Sequence, residues 1–234
     1  MESVSVDPAK ITAFREAFLK EKADAIKNDE YDQRDIDRMN NDDDYVSCFV
    51  KSGKTEGDPV KGVQLFHDVF TYRKQMNIWD LKREDINPEL LEKEIFMYKN
   101  VDNKGQKLFH FQVGKHAKGT FTDEIKKLLA LLMDEFHREN AGKNCFVLIF
   151  DFTNSGLSNA DLEIVKYVIS CVTVYFPRIV DYILLFEMPF LLGAVWKIVQ
   201  AWLSAEQKKF IKFVKKSDIK QYIDEDNLED HMKK

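Results

Sequence analysis

The run Leu184–Leu203, LLFEMPFLLGAVWKIVQAWL, is the most apolar stretch of the chain and the one whose reading decides the fold. It has the length of a bilayer span, about 20 residues. Glu187 and Lys197 lie inside it, however, and each costs several kcal/mol at mid-membrane. Pro189 separates two differently patterned halves. The reading that follows is a strand end, LLFEM, and then a helix, PFLLGAVWKIVQAWL.

Working outward, the same grammar recurs. NCFVLIFDF is a continuous apolar run between turn signals, the pattern of a strand buried on both faces of a parallel sheet. EIFMYKN and KLFHFQV are strand-like and joined at Asn103-Lys104-Gly105, a turn signal. RIVDYILLFEM and KFIKFV supply two more strands. Between them lie an amphipathic helix, TDEIKKLLALLMDEFHREN, with Ile125, Leu128, Leu129, Leu132 and Phe136 on one face, and a second helix from about Asn159 to Tyr175. SDIKQYI reads as a last helix capped by Ser217. Alternating strands and helices imply an α/β fold with a mostly parallel sheet flanked by helices and right-handed crossovers.

Before residue 88 the chain reads as helix. DPAKITAFREAFLKEKADAIKN carries Ile11, Phe14, Phe18 and Leu19 near helical spacing. DDDYVSCFVKSG starts on acidic residues, which the helix dipole favours, and ends at Gly53. In DPVKGVQLFHDVFTYRKQMN, Asp58 caps, Pro59 takes the first turn, and Val63, Phe66, Val69 and Phe70 form a stripe. The acidic stretch Asp29–Asp44 reads as solvated chain and helix starts. The division is therefore a helical annex, residues 1–87, and an α/β domain, residues 88–234.

Composition narrows the function. Of the 234 residues 44% are hydrophobic and 32% charged, the balance of a globular protein, and the net charge of −5 argues against nucleic acid. Three cysteines, Cys48, Cys145 and Cys171, lack CxxC spacing and suit a reducing compartment. No basic-then-apolar leader is visible at the N-terminus, so a cytoplasmic chain is expected.

Catalytic patterns are weak. SGKT at Ser52–Thr55 has Cys48 where a phosphate-binding loop needs Gly, and a helix where it needs a strand. Asp151 ends a buried strand but follows no GxGxxG, and TNSGL has Thr153 where GxSxG needs Gly; Asp151 reads as the cap of the following turn. His67, His110, His116, His137 and His231 show no metal-binding spacing. No cofactor or metal is implied, and an α/β enzyme is a weak reading.

The helix after Pro189 carries the positive signal. On a wheel of about 100° per residue, Gly193, Lys197, Gln200 and Ser204 fall together. Leu191, Leu192, Val195, Trp196, Ile198, Val199, Trp202 and Leu203 fill an arc of about 160°, wider than the roughly 100° a core-facing stripe needs. Two readings fit: a helix buried on several sides, or one with a flank on the sheet and a flank on a removable apolar partner. Two Trp on opposite flanks suit an interface. Lys208, Lys209, Lys212, Lys215 and Lys216, interleaved with Phe210, Ile211 and Phe213, suit either anionic lipid heads or a strand edge guarded by lysines.

Several pieces together resemble the CRAL-TRIO lipid-binding domain family. They are DDDYVSCFV with TYRKQ, VDNKGQKLF, FVLIFDFTNSGLS, VYFPRIVDYILLFEMPFLLGAVWKIVQAWL and YIDEDNLEDHM, in that order, from about Asp42 to the end of the chain. Within the family the chain is similar to the CRAL-TRIO region of the motile-sperm-domain-containing proteins, which implies a piece of a longer, membrane-tethered protein. The resemblance implies a non-enzymatic lipid carrier or sensor, peripheral to intracellular membranes, with an apolar pocket under a mobile gate helix at Phe190–Leu203. On this reading Phe111, Val147, Ile149, Ile164, Val168, Leu185, Leu191, Val195, Val199 and Trp202 contact the lipid, and Trp196, Trp202, Lys208, Lys209 and Lys212 the membrane. Arg178, Glu187, Phe210 and Lys233-Lys234 depart from the phosphatidylinositol-binding pattern, so that ligand does not carry over. The rival is a protein-interaction module whose pocket has collapsed.

Overall fold

The computed structural model describes residues 6–233. The chain divides into two compact units. One takes the chain up to Lys82 with Ala130–Asn144 and Ile169–Ile179; the other takes Arg83–Leu129, Cys145–Val168 and the chain from Val180 onward. The segments Ala130–Asn144 and Ile169–Ile179 of the first unit alternate in sequence with segments of the second.

The helical unit is built on α1 (Pro8–Glu21), α2 (Ala23–Lys27), α3 (Gln33–Asn41), α4 (Asp43–Val50) and α5 (Pro59–Gln75). Aspartates start all of these but α2: Asp7 accepts from the Ala9 N–H, Asp32 from Arg34, Asp42 from Tyr45 and Asp58 from Val60, each at 2.9 Å. Phe14 and Phe18 of α1 and Phe66 and Phe70 of α5 are fully buried, and Phe49 of α4 stacks on Phe66 with ring centroids 3.9 Å apart. Gly62 makes the α1–α5 crossing tight, since a Cβ there would stand 2.6 Å from the Phe14 ring. Leu19, expected on the α1 stripe, is exposed instead, and the expected long helix breaks at Lys22.

Asp29–Asp44 is not solvated throughout. Asp35 of α3 is buried, and its carboxylate accepts from Arg73 Nε at 2.6 Å. Arg73 Nη1 donates to Asp134 at 2.6 Å, and Asp134 also pairs with Arg138. Burial works against the Arg73 charge, but Asp134 and Asp35 outweigh it and hold the guanidinium pKa above its ordinary value. His137 is buried beside this network. Burial first, then Arg38 and Arg73, push its pKa down to about 3, so the ring is neutral at pH 7.

Gly142 has φ +74°, and a Cβ there would stand 2.5 Å from the Asp44 carbonyl oxygen. Both objections fall on backbone, which cannot rotate away. Gly142→Ala is therefore expected to destabilise the chain by about 3 kcal/mol, through left-handed strain and overpacking together. A urea titration reads this as a lower midpoint at unchanged slope; an unchanged midpoint would mean that the segment shifts freely.

The second unit holds α6 (Pro88–Lys93) and a five-stranded sheet of β1 (Phe96–Val101), β2 (Lys107–Gln112), β3 (Phe146–Asp151), β4 (Val180–Phe186) and β5 (Ile211–Val214), in that spatial order. β1 pairs antiparallel with β2, and all later pairs are parallel. Asp102 shapes the hairpin by accepting from the N–H groups of Lys104 and Gln106 at 2.9 and 2.8 Å. The crossovers are α7 (Thr122–Asn140), then α8 (Leu162–Ser170) with a π-helical turn to Tyr175, then α9 (Gly193–Ala201) with α10 (Ala205–Lys209). Every residue of β3 is buried, as its unbroken apolar run predicts.

Register and strand alternation sort the side chains. Phe109, Phe111, Leu148, Phe150, Ile183, Leu185 and Phe213 share one face. Leu108, Val147, Ile149, Leu184, Phe186 and Val214 share the other, where they pack with Ile219, Ile223, Leu228 and Met232 from the last turns of the chain. Those turns are 3-10, so the helix expected at SDIKQYI is a single turn, Ile219–Gln221; its cap position is Asp218, not Ser217, and makes no side-chain cap bond.

Candidate functional site

The site is assembled at the end of β4. Glu187 has φ +53° and turns the chain out of the strand. Its N–H donates to Val214 O at 2.9 Å, and its carboxylate accepts from the Lys216 N–H at 2.7 Å and from Lys215 Nζ at 3.3 Å. Pro189 is extended, with φ −74° and ψ 146°; a 3-10 turn, Phe190–Leu192, then leads into α9. The cut at Glu187–Pro189 read from the sequence is where the strand and the helix part. α9 stops at Ala201, and Ser204 and Gln207 form a capping box that starts α10.

Two apolar flanks run along this helix. Leu192, Trp196 and Val199 lie on the inward flank; Leu192 and Val199 are buried, and the half-buried Trp196 ring meets Phe213 edge-on at 5.2 Å and 86°. Because Phe213 lies opposite Leu185 in register, α9 sits against the β5 end of the sheet face that carries Phe111 and Leu185. Leu191, Ile198 and Trp202, seven and four positions apart, form the outward flank. They are 50%, 46% and 38% exposed. Phe190 is 100% exposed, and Phe210 and Phe213 follow at 48% and 57%. Among the described residues the other exposed large hydrophobics are only Leu19, Val60 and Leu157, scattered singly. Clustered exposed apolar groups mark a contact surface, whereas single ones are ordinary.

The candidate residues separate accordingly. Phe111 and Leu185 are buried on the α9 side of the sheet, and Ile164 and Val168 are buried on α8 four positions apart. Val199 is buried, Val195 half-buried, and Leu191 and Trp202 point outward. Val147 and Ile149 stand apart from the other candidates. They lie on the sheet face opposite Phe111 and Leu185, packed with Leu228 and Met232. Lys208, Lys209 and Lys212 are exposed; Lys209 pairs with Glu206 at 2.7 Å, and Lys212 Nζ donates to Lys209 O at 3.0 Å. Phe190 and Ile198 fall in the gate helix read from the sequence, and Ile198 in its apolar arc, but neither is assigned a lipid or membrane contact there, although a spacing of seven from Leu191 marks Ile198.

The polar groups elsewhere in this unit brace loops. Asp151 Oδ1 accepts from the Thr153 N–H at 2.9 Å, the turn-capping role expected, and Oδ2 lies 2.5 Å from His231 Nε2. Asp161 caps α8 by accepting from the N–H groups of Glu163 and Ile164, and it meets His116 Nε2 at 3.0 Å. Burial opposes its charge, but the Gly119 N–H, His116 and the Ile164 N–H outweigh it and hold its carboxyl below the ordinary value. Among the described residues no helix is long and apolar enough to cross a membrane, and no group of three His, Cys, Asp or Glu is placed to hold a metal ion.

Comparison with known proteins bears on the same region. A family model described as the CRAL/TRIO domain matches residues 91–233, more than half of the chain. A CRAL-TRIO domain-containing protein of Schizosaccharomyces pombe is 30% identical over 82 residues, 35% of this chain and 18% of that protein. Tyrosine-protein phosphatase non-receptor type 9 of Mus musculus is 22% identical over 182 residues, 75% of this chain and 30% of that one. The chain thus spans less than a third of either relative. The crystal structure of Sfh5 superposes with a TM-score of 0.67 at 16% identity, covering 93% of this chain and 84% of that one, a likeness of fold.

Proposed function

The chain belongs to the CRAL/TRIO domain family, and from that premise we propose that its second unit carries a lipid between α9 and the sheet and docks on membranes through α9. Family and fold support a lipid-binding domain; the pocket, the gate and the docking are our reading. The observation that carries it is the double flank of α9. A helix that only completes a core needs one apolar flank, and α9 has a second, left in water, made of Leu191, Ile198 and Trp202.

The acyl chain would lie against Phe111, Leu185, Ile164, Val168, Val195 and Val199, each buried methylene contributing about 0.8 kcal/mol. When α9 swings out, Leu191 and Trp202 enter the bilayer interface, Trp196 leaves Phe213, and Lys208, Lys209 and Lys212 meet the headgroups. On this reading the protein is a carrier or sensor that works at intracellular membranes without making or breaking a bond. Native mass spectrometry of the gently purified chain, with lipid extraction, tests it. One lipid per chain is the expected result. Lipid-free protein that also takes up none from liposomes would leave an interaction module in its place.

A further inference from the structure

We propose that the docking surface extends beyond α9 onto α10 and β5, and that it selects bilayers carrying anionic headgroups. This rests on the docking reading above, which already sets Lys208, Lys209 and Lys212 at the headgroups, and adds Phe210 and Phe213 to the surface and the charge of the lipid it selects.

Continuity comes first. The edge-on contact of Trp196 with Phe213 joins the helix to β5, and Phe210 stands at the start of that strand. Both phenylalanines are about half exposed. β5 is an edge strand, and lysines alone suffice to guard an edge. Lys212, Lys215 and Lys216 already do so, and exposed phenylalanines between them add nothing to that task.

Charge comes second. Phe190–Lys216 holds six lysines and one glutamate, in a chain whose net charge is −5. Lys209 pairs with Glu206 and Lys215 with Glu187, and both lysine side chains remain more than half exposed. Exposed pairs of this kind contribute little, so a lipid phosphate can take either ammonium. The mixture also chooses between partners. Lysine is depleted from the cores of protein–protein interfaces, whereas rings such as Phe210 and Phe213 flanked by long lysine stems suit an interface with acyl chains below and anionic headgroups above.

The test is flotation of the full chain with phosphatidylcholine vesicles, with and without phosphatidylserine, for the wild type, K208E/K212E and F210S/F213S. The wild type is expected to bind the anionic vesicles at least about tenfold more tightly, K208E/K212E to lose that preference, and F210S/F213S to bind both vesicles more weakly. Retained thermal unfolding midpoints show that the variants fold. Equal wild-type affinity for the two vesicles overturns the headgroup selection, and full binding by F210S/F213S overturns the β5 surface. In either case docking through α9 stands if L191D/W202D fails to float. Wild type that binds neither vesicle overturns both. Wild type that elutes as a concentration-dependent dimer, with F210S/F213S monomeric, assigns the surface to a second copy instead. Lipid occupancy measured on the same samples tells a failed cavity from a failed surface.

Discussion

Arg73→Ala is expected to lower stability by about 3–5 kcal/mol, because it leaves two buried carboxylates without their cation. The side chain is 1% exposed and bridges Asp35 and Asp134 through two separate N–H groups at 2.6 Å. Lysine is no substitute, since one ammonium cannot reproduce a fork aimed at two carboxylates, and Arg73→Lys is expected to lose more than half as much. Asp35→Asn keeps an acceptor for Arg73 Nε while removing one charge, so its loss is expected to be smaller. Urea titrations monitored by Trp79 fluorescence read the order directly, since that ring lies under Arg73 and Arg138. A loss under about 1 kcal/mol for Arg73→Ala would mean that the network contributes little net energy, as some buried ion pairs do.

The Leu191→Asp/Trp202→Asp double variant is expected to reduce vesicle affinity on the order of a hundredfold. Withdrawing one leucine and one tryptophan from an apolar phase forfeits about 3–4 kcal/mol, before any repulsion between the new carboxylates and anionic lipid. Leu191 is 50% and Trp202 38% exposed, so both also pack on protein, and a folding loss of roughly 1–3 kcal/mol is expected alongside. Flotation and thermal unfolding on the same preparation separate the two effects. Binding undiminished in a folded variant would remove α9 from the docking mechanism.

The legible parts of the fold were those written in local pattern. Pro189 and the charge of Glu187 split an apparent span into strand and helix. Asp58-Pro59 marked the start of α5, and the unbroken apolar run of β3 announced a central parallel strand. The same run hid the facing of its residues. In FVLIFD both alternating sets are apolar, so nothing local says that Val147 and Ile149 turn away from Phe111. Asp35 was read as solvated because its neighbours are acidic. Its burial depends on Arg73 and Asp134, far away in sequence. The wide apolar arc of α9 was visible on a wheel, but which part faces outward depends on Phe213, two elements later.

The central claim is that a lipid tail lies between α9 and the sheet face of Phe111 and Leu185. The most direct measurement loads the chain from vesicles with a phospholipid bearing a photoactivatable group near the end of its acyl chain. Irradiation and peptide mapping then locate the adducts. The account predicts crosslinks on α9 and on the strands carrying Phe111 and Leu185, at the side chains of that face. Crosslinks confined to the opposite face, around Val147, Ile149 and Met232, or none at all with a loaded chain, would contradict it.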